Sequence, residues 1–240
     1  MKKFEHHSFV VGLGFVAGFI DVFGFTRLHG LLPAHVTGTL IFLAISLSHG
    51  QYNVFLKILA LPIFCCAVAG SAWFIGMIAE RGRDPFLPAL TLQAGLLLGG
   101  MIGAVLLPTH GEPDEIAAFV VGIACLSAMG LQNTIMRLIL NNLPPTTVMT
   151  GNITQVLSDI VAYACRFPSI RRTTDEKVIL ERQAKRMLIT VLSFLAGAVA
   201  AAFVCPRLGG LSLSLPVLAI LCLIPVGNKT LRARGFQAAQ

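Results

Sequence analysis

Two stretches decide the reading: PAHVTGTLIFLAISL at residues 33–47 and PPTTVMTGNITQVLSDIVAYAC at residues 144–165. In each, proline is followed within a few residues by a Thr-Gly step, Thr37-Gly38-Thr39 in the first and Thr150-Gly151-Asn152 in the second, and an apolar run begins there. Working outward, each is preceded by an apolar segment that carries glycine and a polar residue: Gly18-Phe19-Ile20-Asp21 before the first, Gly130-Leu131-Gln132-Asn133 before the second. Gly18 to Gly130 is an offset of 112 and Gly38 to Gly151 an offset of 113. Two motifs recurring in one order with a single slip read as an internal duplication, with repeats of about 8–107 and 116–227 inside one domain of residues 1–240.

Composition gives the surroundings. Hydrophobic residues make up 55% of 240, charged residues 12%, and mean hydropathy is +0.81. A soluble domain carries about 25% charged residues, so this chain is expected in lipid. Backbone groups left unpaired in hydrocarbon are costly, which leaves helices or a closed barrel. The apolar runs are too long and continuous for barrel strands of about 9–11 alternating residues. The expectation is an all-α, polytopic helical membrane protein.

The net charge of +7 sits in segments between apolar runs, the pattern of cytoplasmic loops and not of a nucleic-acid surface. The six cysteines lie in or near apolar runs without CxxC spacing, which argues against a metal site or a disulfide framework. Lys2 and Lys3 precede an apolar run with no small-residue cleavage site, so an uncleaved first span is expected. The histidines show no HExxH spacing, and neither a Walker loop nor a GxSxG turn occurs. No enzyme activity, cofactor or metal is expected.

Long apolar runs fall at 8–28, 54–79, 86–107, 116–140, 187–204 and 211–227, with shorter or more polar ones at 36–49 and 146–165. Gly14 and Gly18 share a helix face, as do Gly95, Gly99 and Gly103; both sets are expected to pack helix on helix. The stretch 166–186 is a basic linker with a short surface helix, and a basic tail carries Lys229, Arg232 and Arg234. If all eight runs crossed, Arg81 and Arg83 would face outward and the acidic 108–115 loop inward, against the usual bias. If the two Thr-Gly segments instead dip in and return, six full spans remain, and both termini, 80–84 and 166–186 fall inside. Three spans per repeat then invert the halves, the plan of many transporters. Eight spans in a parallel 4+4 repeat is the alternative.

Asp21 is the first candidate for a proton or cation site, because a carboxylate inside a span is paired or faces water. Gln132 and Asn133 could hydrogen-bond a solute or bridge helices. Thr37, Gly38, Thr39, Thr150, Gly151 and Asn152 lie where half-helices would begin, with free N–H groups that favour anions or simply need caps. Asp159 adds a second carboxylate to the polar run at 146–165. The two glycine steps are expected to meet at a packed centre.

The G-x-x-D of residues 18–21, TGT at 37–39, MGLQN at 129–133 and TTVMTGN at 146–152 resemble the YoaK family, uncharacterised bacterial inner-membrane proteins built on a domain of unknown function. The resemblance implies an integral membrane protein and no particular activity. Two functions fit: a secondary transporter or channel for a small solute, or a non-transporting scaffold or accessory subunit. The partners expected are the lipid bilayer, the solute and a second copy in a homodimer, with no nucleic acid. The expected location is the inner membrane, with both termini cytoplasmic.

Overall fold

The computed structural model describes residues 3–49, 54–106, 115–165 and 174–238. Those residues fold into eight α-helices: α1 (Lys3–Arg27), α2 (Val36–Ser48), α3 (Phe55–Glu80), α4 (Phe86–Val105), α5 (Glu115–Leu138), α6 (Met149–Cys165), α7 (Thr174–Leu208) and α8 (Ser214–Ala238). A 3-10 turn, Gly209–Leu213, joins the last two. Five stretches are long and apolar enough to cross a membrane: His7–Arg27, Phe55–Glu80, Phe86–Val105, Glu115–Leu138 and Arg182–Asn228; α2 is apolar but shorter. The last of the five bends at the 3-10 turn and so contains two helices. Large apolar side chains face outward along these helices, among them Ile58, Trp73, Ile102, Leu192 and Leu218. An apolar exterior of that extent fits an integral, multi-pass membrane protein.

Local chemistry sets the helix ends. At the end of α1, His29 and Gly30 both take positive φ (55° and 82°), and Gly30 N–H bonds back to Phe25 O. Gly82 (φ 68°) closes α3 in the same manner, with Arg83 N–H on Ile78 O. Asp84 Oδ1 then accepts the Phe86 N–H at 2.8 Å and starts α4. The linker expected at 166–186 is only partly a separate segment: from Thr174 on it is the first part of α7, continuous with the apolar part, while 166–173 lie outside the described residues.

Helix directions follow from which residues meet. On α1, Gly14 lies against Thr190 and Ser193 of α7, and Gly18 against Phe194 and Ala198, so α1 and α7 run parallel. On α5, Gly122 lies against Leu56 and Gly130 against Phe64, Ala67 and Val68, so α5 and α3 run parallel too. Gly100 and Gly103 of α4 meet Cys125 and Val121, which makes α4 antiparallel to α5. Gly12 meets Leu223, Gly227 meets Phe86 and Gly210 meets Ala104, placing α8 antiparallel to both α1 and α4. Hence α1, α4 and α7 run one way, and α3, α5 and α8 the other. The core between them is made by Phe9, Leu13, Phe19, Leu90, Leu97, Leu126 and Met129, all nearly inaccessible. The two remaining helices are peripheral: α2 packs on α3, and α6 on α7.

Candidate functional site

After α1 ends, the chain turns back on itself. Leu31, in the returning loop, meets Gly122 near the start of α5, but three residues later Ala34 N–H reaches Asp21 Oδ1 at 2.7 Å, six residues back inside α1. The loop has therefore descended about 9 Å along α1 at 1.5 Å per residue. His35 follows, and its Nδ1 lies 2.5 Å from Asp21 Oδ2. Both carboxylate oxygens are thus occupied, in a residue only 5% exposed. Charge-assisted bonds of this kind are about twice as strong as neutral ones, which is what makes a carboxylate tolerable here. The imidazole also meets the ring of Phe194 on α7 edge-on, with centroids 5.3 Å apart. From His35, α2 sets out toward the loop end of α1, and Ser46 in its last turn accepts a 2.7 Å bond from Lys57 Nζ at the start of α3. Lys57 also lies beside Gly30.

A second polar station lies toward the opposite end of the bundle, five residues before α5 ends. Asn133 Oδ1 accepts the Thr147 hydroxyl at 2.5 Å, and Asn133 Nδ2 donates to Met129 O. Next to it Gln132, fully buried, donates from Nε2 to Leu13 O and to Thr146 Oγ1, both at 2.9 Å, and accepts from Gln93 Nε2 at 2.7 Å. It ties α1, α4 and the α5–α6 loop to α5. Gln93 Oε1 is buried with no hydrogen-bond partner.

The two stations share a spacing. Asp21 and His35 are fourteen residues apart, and so are Asn133 and Thr147. Each following loop is bracketed over seven residues: Thr39 Oγ1 accepts Leu32 N–H at 2.8 Å, and Asn152 Nδ2 donates to Pro145 O at 2.8 Å. Thr39 and Asn152 are thus buried and hold their own loops, whereas Thr37, Thr150 and Thr154 are exposed. Asp159, further along α6, is buried; its Oδ1 accepts from Gln155 Nε2 at 3.0 Å and its Oδ2 has no hydrogen-bond partner.

Two expectations need correction. The Thr-Gly steps do not press on one another: a Cβ at Gly38 would meet Leu32 Cδ1 at 2.7 Å, and one at Gly151 would meet Val148 Cγ1 at 3.1 Å. Each crevice belongs to its own segment, because α3 and α7 hold α2 and α6 separately. Nor do Gly95 and Gly99 serve a seam within the chain, since nothing lies within 4 Å of a Cβ built at either; packing on α4 passes through Gly100 and Gly103. That face of α4 looks outward because α5 and α8 occupy the others. Gly14 and Gly18 do face a neighbouring backbone, that of α7.

Sequence reasoning missed His35, Gln93, Thr146, Thr147 and Lys57. The signal for His35, Thr147 and Gln93 was present. His35 and Thr147 stand at one offset of 112 from each other, as Asp21 and Asn133 do, and Gln93 is a lone amide among glycines and leucines.

Comparison with curated proteins and with solved structures gives no match. A family does match, over residues 9–226, which takes in both polar stations and, but for one residue at each end, all six long apolar runs. The chain belongs to the family described as protein of unknown function, DUF1275.

Proposed function

We propose that this chain is a small-solute secondary transporter or channel, built from two inverted halves whose polar stations flank the pathway. One observation carries the reading: a carboxylate–imidazole pair and an amide–hydroxyl pair, at equal spacing, each launch a peripheral helix from inside the bundle near opposite ends. The packing pattern supports a duplication as well. Exchanging α1–α4 with α5–α8 turns the parallel pair α1/α7 into α5/α3, the pair α2/α3 into α6/α7, and α4/α5 into α8/α1. On this reading α1, α3, α4, α5, α7 and α8 cross fully, and α2 and α6 enter and return on opposite faces. Arg81, Arg83, Arg182, Lys185 and Arg186 then share the face of the two termini, which the charge bias assigns to the cytoplasm of a YoaK-like inner-membrane protein. Half-helices that begin inside the membrane and point at a common depth are how inverted-repeat transporters bind solutes.

The test uses single cysteines at Thr37 and Thr150 in a chain otherwise free of cysteine, probed in oriented membranes with a membrane-impermeant maleimide. The reading expects both to react, Thr37→Cys from the outer face and Thr150→Cys from the cytoplasmic face. Reaction of both from one face would discard the inversion. A scaffold is the second reading, favoured by Gln132, which bonds α1, α4 and the α5–α6 loop to α5; it predicts that neither cysteine reacts.

A further inference from the structure

We infer that the Asp21–His35 pair binds one proton per chain, and that the other half holds no equivalent. The inference deepens the transport reading above and rests on it for the use made of the proton, but not for the binding itself.

The argument begins with what the second station achieves without charge. Asn133 and Thr147 make the same fourteen-residue link, from the same point near a helix end to the residue that leads into a peripheral helix. The fold at such a station therefore needs only one hydrogen bond between neutral groups. In the first half the corresponding places hold two titratable groups, and their ionisation does nothing for the local backbone that an amide and a hydroxyl could not do. A buried carboxylate is costly in a membrane and is retained where a charge or a proton is handled.

The geometry also says how the proton is held. Asp21 Oδ1 is committed to the Ala34 N–H and Oδ2 to His35 Nδ1, so the carboxylate has both oxygens engaged. The imidazole has its second nitrogen to spare, and its side chain is 29% exposed against 7% for that of Asp21. A proton thus enters at His35 Nε2. With Nδ1–H already donated to Asp21, uptake converts a neutral imidazole beside a carboxylate into an imidazolium–carboxylate pair, and the net charge of the site goes from minus one to zero. Nothing else needs to be supplied.

The other titratable groups around the pair are few and lie toward the helix ends. On α1, Arg27 stands six residues beyond Asp21, and His29 follows in the loop. From Val36 to Ser48, α2 has no titratable side chain, His49 caps it, and Lys57 of α3 is bonded to Ser46. Between Arg186 and Arg207, α7 carries only Cys205; α5 has Glu115 and Arg137 at its ends with Cys125 between, and the described side chains of α8 include only Cys222. Among the described residues, no second carboxylate shares the site.

The decisive variant is Asp21→Asn/His35→Thr, which gives the first half the pair that the second half already uses. Potentiometric titration of purified protein in detergent, between about pH 4 and about pH 8 so as to bracket ordinary carboxylate and imidazole behaviour, should count one proton fewer per chain in the variant. Its elution profile and melting temperature should stay those of the parent. Equal proton counts in a well-folded variant would overturn the inference. Should the variant not fold, 15N-histidine spectra of the unaltered chain decide, with the His35 ring signals assigned by their loss in His35→Gln. A ring that passes from one protonated nitrogen to two across the range supports the site, and one that keeps a single form throughout removes it. Proton binding without flux of any solute in vesicles would remove the transport reading and leave the site standing. Flux with equal proton counts would do the reverse.

Discussion

Two crossings in the bundle start from matching glycines and end differently. At α1 on α7, Gly18 lies directly against the Phe194 carbonyl, and Gly197 of α7 lies against the Phe15 carbonyl in return, so main chain touches main chain from both sides. At α5 on α3, Gly130 meets the Ala67 methyl, 2.8 Å from where a Cβ would stand, while the nearest main-chain atoms are at 3.4 Å. One methyl group separates a crossing that cannot give from one that can. The unyielding crossing is also the one beside the ionisable pair, since Phe194 offers its carbonyl to Gly18 and its ring to His35. The crossing beside the ionisable pair is main chain on main chain, and the one beside the amide–hydroxyl pair has a methyl group between.

That contrast can be broken most forcefully at the glycines. Gly18→Ala should prevent recovery of folded protein, because a methyl group would enter the α7 main chain and no rotamer can relieve it; size-exclusion in detergent reads this directly. Gly130→Ala should fold and lose about 1–3 kcal/mol, the usual range for overpacking, measured by thermal unfolding. Equal damage from the two would erase the distinction between the crossings. Next comes the contrast in charge. Asp21→Ala leaves His35 and the Ala34 N–H without their acceptor and should cost about 3–5 kcal/mol, because two donors are stranded at about 1–3 kcal/mol each. Asn133→Ala should cost about 1–3 kcal/mol, the penalty of an unmet neutral hydrogen bond. Gln132→Leu belongs in that same lower range, since it strands Gln93 Nε2 and the Leu13 carbonyl together. The smallest effect is expected at Gly99→Leu, within about 0.5 kcal/mol, because the side chain would enter open space on the outer face. A large loss there would mean that α4 is covered by a second copy of the chain in the membrane.

How much could be read beforehand depended on the range of the interaction. Helical class followed from bulk composition, and the apolar runs at 54–79 and 86–107 came within a residue or two of α3 and α4, because length and hydropathy are local properties. Asp21 announced itself as a carboxylate in a span. Its partner did not, because a histidine in a proline-containing turn looks like any loop residue until the loop is known to descend. Gly95 and Gly99 misled for the opposite reason: spacing places small residues on one face but does not say whether a neighbour stands there. Gln93 needed the third dimension, since it pairs with an amide 39 residues away.

The link from Asp21 to Ala34 and His35 also bears on how the chain is made. The principal partner of α1 is α7, and the contact between them spans more than 170 residues, from Gly14 to Thr190. During synthesis α1 therefore has to wait for most of the chain before its glycine face is covered. Its carboxylate does not wait. The donors that satisfy Asp21 lie thirteen and fourteen residues downstream, so the acid can be hydrogen-bonded as soon as the next short segment emerges. An early helix that would otherwise carry an unpartnered carboxylate into lipid has its own hydrogen-bond donors close behind it in the sequence, long before the late helices are made.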